Sequence, residues 1–160
     1  MEISKKIRGY TLTELIITII IVGILAIGAS IKWSYSTTSL DSQIALLVSD
    51  LRYAQNLSVA KNERCRLVIN TGSRSYEIRN STGVVQPLPN GKSSATLIAG
   101  ISFGTLTNIT STIIFDGKGI PYTDTPPETL LITAATIPLQ NDSGQTRTIS
   151  IAPTTGNISS

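Results

Sequence analysis

The chain has no histidine and a single cysteine, Cys65, among its 160 residues. Without histidine there is no Ser–His or Cys–His dyad, no imidazole metal ligand and no imidazole pH switch. One cysteine makes neither an internal disulfide nor a cysteine-cluster zinc site. Aromatic residues are 5% of the chain, thin for a base-stacking surface. Charged residues are 14%, with a mean hydropathy of +0.18, which excludes wholesale disorder. The acidic residues are scattered, so no segment offers the oxygen ligands a calcium loop needs. No proline precedes Pro87, and the first half of the chain therefore lacks the strongest helix breaker.

What is present divides unevenly. Residues 12–31 hold one charged side chain, Glu14, among Ile, Leu, Val, Ala and Gly. The 129 residues after Ile31 read as one small domain. The pI of about 9.2 is misleading. Of the net charge of +3, Lys5, Lys6 and Arg8 against Glu2 supply +2 before residue 10, leaving +1 for everything after. The basic signal is therefore N-terminal and is a poor argument for a nucleic-acid surface. From Tyr10 to Ile31 there are 22 residues, enough to cross a hydrocarbon core of about 30 Å as a helix. Positive charge before the span predicts a cytoplasmic N-terminus. A signal peptide or a plain anchor fits the same pattern, and Ala26–Ser30 (AIGAS) offers a cleavage-like site. Neither reading accounts for a carboxylate in the apolar run. At mid-bilayer such a group costs on the order of 2.5–3.5 kcal/mol and usually has a partner.

Taken together, RGYTLTELIITIIIVGILA (8–26) resembles the N-terminus of type IV pilins and pseudopilins. The resemblance implies a leader over residues 1–9, cut after Gly9 by a prepilin peptidase, with N-methylation of the new terminus at Tyr10. Tyr10 stands where the family usually has Phe. The resemblance also gives Glu14 an assembly role. One helical turn from the new α-amine, Glu14 would pair with the amine of a neighbouring subunit, and a buried pair of this kind sets register more than stability. The implied layout is a transmembrane segment at 10–32 and a periplasmic region at 33–160, crossing a bacterial inner membrane once. The implied partners are the lipid bilayer before assembly, an inner-membrane assembly platform, and other pilins or pseudopilins in a filament.

Helical periodicity continues past the apolar run. Leu40, Ile44, Leu47, Leu51, Ala54 and Leu57 form one stripe, while Asp41, Asp50, Arg52 and Lys61 fall off it, so the helix extends to about Asn62. Trp33 and Tyr35 suit either membrane-interface anchoring or core packing. From Arg64 the period becomes two. RCRLVIN (64–70) and SRSYEIR (73–79) flank Thr71-Gly72, a hairpin signal. Further β-rich runs span 95–102, 105–115, 129–139 and 146–152, with Gly, Pro, Asn and Asp between them. The expected fold is α+β: a long N-terminal helix packed on a C-terminal antiparallel β-sheet domain. LVSDLRYAQNLSVAKNERCRLVI (47–69), IIFDGKGIP (113–121) and RTISIAPTTGNIS (147–159) resemble the GspH/FimT family of minor pseudopilins and minor pilins. That resemblance implies a structural subunit of the type II secretion pseudopilus. The alternative it allows is a FimT/FimU-type minor pilin concerned with DNA uptake.

No catalytic constellation, cofactor site or metal set emerges. Asp116-Gly-Lys-Gly119 lacks the spacing of a phosphate loop and reads as a β-turn. Cys65, between Arg64 and Arg66, reads as a buried or half-buried strand thiol. The best DNA-contact candidates are Arg64, Arg66, Arg74 and Arg79 on the hairpin. Glu63 and Glu77 dilute them and the C-terminal tail has no Lys or Arg, so a solvated sheet face is favoured over nucleic acid.

Overall fold

The computed structural model describes residues 11–124 and 128–160, with side chains throughout except at 25–38. The chain forms two compact units, one ending at Ser36 and one spanning Thr37–Ser160. One helix, α1 (Leu12–Lys61), enters both. In the first unit every described side chain of the helix is exposed: Leu12 at 76%, Ile16 at 48%. Among the described residues no helix is long and apolar enough to cross a membrane. The expected span 10–32 and the residues Trp33 and Tyr35 fall partly or wholly outside the described side chains.

The second unit opens on the second half of α1. Leu40, Ile44, Leu47, Val48, Leu51 and Ala54 are buried, and Leu57 packs against the same core. This is the expected stripe, with Val48 added on its flank. The helix ends because Asn62 turns left-handed, with φ of 48°. Its amide donates to the Val59 carbonyl and that of Glu63 to the Ser58 carbonyl, a Schellman cap with Asn in the usual glycine position. Gly117 sits against this cap, where a Cβ would meet Asn62 Oδ1 at 2.5 Å, so the close approach requires glycine.

Among the described residues ten strands follow, in two antiparallel sheets. The first sheet contains β1 (Cys65–Asn70), β2 (Ser75–Arg79), β3 (Val85–Gln86), β4 (Ala95–Thr96), β6 (Thr112–Phe115) and β7 (Pro121–Thr123). Its order is β3-β2-β1-β6-β7, and β4 also pairs with β2. The second sheet contains β5 (Ile101–Phe103), β8 (Ala135–Asn141), β9 (Thr146–Ile151) and β10 (Ile158–Ser159), in the order β10-β9-β8-β5. Alternation drives the packing: Cys65, Leu67 and Ile69 of β1 and Ala135, Ile137, Leu139 and Asn141 of β8 are the buried faces. Leu67, Ile78, Ile113, Phe115, Ile137, Leu139, Ile149 and Ile151 join the helix stripe in one core.

The strand runs read from sequence are shortened by the structure. Residues 95–102 become β4 and β5 around a turn at Gly100, whose φ of 83° no ordinary strand residue adopts. Residues 105–115 yield only β6, because Asp124 Oδ2 draws in the amides of Ser111 and Thr112 at 2.6 and 2.9 Å, and Oδ1 takes that of Thr110 at 2.9 Å. The short strands β3, β7 and β10 carry too few residues for alternation to register.

Candidate functional site

Three groups of polar side chains stand out, and each occupies a different place. The first is the N-terminal motif. Gly9 and Tyr10 lie outside the described residues. Thr11 precedes α1, and its Oγ1 accepts the Glu14 amide at 3.3 Å, the first half of a Thr-x-x-Glu capping box. Thr11 carbonyl also accepts the amides of Glu14 and Leu15 at 3.1 Å. Glu14 thus stands in the first turn, exposed, where a negative charge favours the helix dipole. This placement explains why a helix starts here, whatever else Glu14 binds.

The second group fastens helix to sheets. Asp50 is 3% exposed, and Tyr76 Oη donates to its Oδ2 at 2.6 Å across the helix–sheet interface. Burial pushes the Asp50 carboxyl up, partly offset by that hydroxyl. Burial likewise pushes Tyr76 up, reinforced by the hydrogen bond and charge of Asp50. Two and five residues on, Arg52 Nη2 donates to the Ile158 carbonyl at 2.9 Å, and Gln55 Nε2 donates to the carbonyls of Gly119 at 2.9 Å and Gly156 at 3.2 Å. Sequence reasoning had left Asp50 off the apolar stripe. The signal was available: Asp50 is three residues after Leu47 and four before Ala54, which puts it on the buried face.

The third group is the hairpin arginines. Arg64 Nη1 donates to Glu128 Oε2 at 2.7 Å and its guanidinium lies 4.8 Å from the centre of the Tyr122 ring. Arg66 lies opposite Arg79 in the β1–β2 register. Arg79 Nε donates to Glu77 Oε1 at 2.6 Å. Arg74 is at the far, turn end of the hairpin, with φ of 54° and its carbonyl accepting the Leu97 amide. The structure therefore gathers Arg64, Arg66 and Arg79, leaves Arg74 apart, and sets carboxylates among the three. Glu128 was not anticipated, being 62 residues from Arg66 in sequence.

The remaining candidates resolve as turns and core. Asp116 Oδ1 accepts the amides of Lys118 and Ile120 at 2.9 Å, and Gly119 amide returns to the Asp116 carbonyl, so the Asp-Gly-Lys-Gly segment is the turn between β6 and β7. Cys65 is buried; desolvation, with Glu63 adding and Lys61 opposing, pushes its thiol up and away from reactivity. Among the described residues no group of three or more Cys, Asp or Glu is placed to hold a metal ion. A shallow groove of about 640 Å³ beside β5 has Phe103, Leu106 and Ile109 among its lining and no titratable side chain.

A capped helix with an acidic first turn, its second half packed on an antiparallel β-domain, gives the chain a type IV pilin-like fold. Residues 4–30 match the family model described as the prokaryotic N-terminal methylation motif. The chain is similar to the crystal structure of the type IV minor pilin FimU of Pseudomonas aeruginosa, with 17% identity and a TM-score of 0.57, over 77% of this chain and 88% of that one. It is similar to the minor pseudopilin EpsH of the type 2 secretion system of Vibrio cholerae, with 11% identity and a TM-score of 0.56, over 76% and 94%. No curated protein sequence matches it significantly. At these identities the two structures speak for the fold.

Proposed function

We propose that the chain is a minor pseudopilin, a structural subunit of the periplasmic pseudopilus of a type II protein secretion system. The observation that carries this reading is the union in one chain of the methylation motif over residues 4–30 with the pilin-like β-domain. The minor rather than major role is supported by composition: one cysteine leaves no disulfide-bounded loop, and the scattered acidic residues leave no calcium loop. In this reading a prepilin peptidase cuts after Gly9, Tyr10 is N-methylated, and residues 10–32 span the inner membrane with the leader cytoplasmic and the β-domain periplasmic. The platform then lifts the subunit into the filament, where Glu14 meets the amine of a neighbour.

A second reading, a minor pilin of a type IV pilus, is favoured by the likeness to FimU. Its DNA-uptake form gains little from the hairpin arginines, because Glu77 and Glu128 already face Arg79, Arg64 and Arg66.

The secretome of a deletion strain, with and without the complementing gene, separates the two. Loss of specific exported proteins with pili intact is expected; an unchanged secretome with altered pili would favour the pilus. Two checks address processing and assembly. The mature mass should correspond to a methylated chain beginning at Tyr10. Glu14→Ala should insert in the membrane normally yet be strongly depleted from sheared filaments; normal incorporation would remove the assembly role of Glu14.

A further inference from the structure

On the outer face of the first sheet, one guanidinium nitrogen is left without an acceptor. Arg66 Nε is shielded from solvent and has no hydrogen-bond partner. Its Nη2 comes no closer than 3.7 Å to Glu128 Oε1, too far for a hydrogen bond. The other oxygen of Glu128 is taken by Arg64, which is held in place over Tyr122. On the opposite side, the β1–β2 register puts Arg79 directly across from Arg66, a like-charge pair that opposes pairing. Glu77 is engaged by Arg79. Three guanidiniums thus share two carboxylates, and Arg66 is the one left short. Buried donors without acceptors are rare in folded proteins, more so when charged.

We propose that Arg66 and Arg79 hold one carboxylate at the open end of the β1–β2 hairpin, the group that an acidic side chain of another protein chain presents. The charge deficit is that of a single monoanion. A phosphate monoester carries close to two charges at neutral pH and would meet repulsion from Glu77 and Glu128. A nucleic-acid backbone needs a continuous run of cations, which the same two carboxylates interrupt. The guanidinium fork matches a carboxylate in a bidentate manner, and shielding from water strengthens such a bond. The side chains of Arg66 and Arg79 keep 28% and 42% of their surface in solvent, so the pair is reachable from outside. This inference goes beyond the proposed function and holds in either filament.

The test is arginine-selective NMR of the full chain in detergent micelles, following the side-chain Nε–H signals of its seven arginines. Arg66→Lys identifies the Arg66 signal. Sodium acetate is exchanged for chloride at constant ionic strength, and a blocked tripeptide with one central glutamate is titrated in parallel. The expected result is a saturable shift of the Arg66 signal with both probes, weakened about tenfold by Arg79→Gln in a chain whose other signals are unmoved. Failure to saturate, or the same curve in Arg79→Gln, would overturn the site. Acetate binding with exclusion of the tripeptide would overturn the protein side chain as its source. Tighter binding of inorganic phosphate or of a short DNA duplex would overturn the carboxylate assignment. None of these outcomes depends on the secretome or on filament assembly, so the two readings fail separately.

Discussion

The two units of the chain use the same amino acids to opposite ends. In residues 12–24, Leu, Ile and Val are exposed on every side of the helix. From Leu40 onward most residues of the same types are enclosed, with Leu47, Leu51, Leu67 and Ile78 fully buried, although Leu46 and Ile132 stay exposed. The difference lies in distribution around the axis. The first segment is apolar all round, so no single partner face within one chain can cover it. The second is apolar on one stripe, which two sheets cover. Hence the stripe and the two sheets enclose a core within the second unit, whereas the first segment offers no such stripe.

That contrast breaks most visibly at a core leucine. Leu51→Ala should lower the unfolding free energy of the β-domain by about 2–5 kcal/mol, while Ile20→Ala should leave it within about 0.5 kcal/mol. Urea midpoints of the full chain in detergent micelles, read from strand amide signals, check both. Equal losses would mean that the two units fold as one.

A smaller effect concerns the carboxylate that organises the approach to β6. Burial alone would raise the Asp124 pKa, but the amides of Thr110, Ser111 and Thr112, with its own, overcome this and hold it below the ordinary carboxylate range. Its stabilisation is therefore present above about pH 4 and is lost as the pH falls through its lowered value. Asp124→Asn should cost about 1–2 kcal/mol at neutral pH, discounted for its partial exposure, and the difference should shrink in acid. A pH-independent difference would remove the ionic part of this explanation.

Asp50 should behave with the opposite sign. Its carboxyl is raised, so the folded state holds a proton more tightly and loses stability as the pH climbs through the raised value. Asp50→Asn keeps an oxygen for the Tyr76 hydroxyl, and its stability relative to the parent should improve by about 1 kcal/mol from acid to neutral pH. A trend parallel to that of Asp124→Asn would contradict the buried placement. The smallest effect is expected at Asp41, paired with Arg147 at 3.0 Å with both side chains about half exposed. Asp41→Asn should cost under about 1 kcal/mol, less in high salt.

Much of this was legible in the order of residues. The stripe from Leu40 to Leu57 and the hairpin about Thr71-Gly72 are local patterns, and each formed where its spacing placed it. The Asp116 turn and the buried Cys65 followed from equally local rules. What escaped were contacts between residues distant in sequence. Asp50 meets Tyr76 across 26 positions, Arg64 meets Glu128 across 64, and Gln55 meets Gly156 across 101.

By itself, then, the sequence determined the elements and the character of their faces, because helix and strand periods are properties of neighbours along the chain. It also determined the N-terminal motif, which is contiguous. Only the tertiary structure decided that the strands divide into two sheets, that Asp50 is enclosed, and that two glutamates are shared among three arginines, leaving Arg66 short. Those outcomes depend on which faces meet. A charge on a strand reads the same from sequence whether its neighbour in space is water, a carboxylate or another charge.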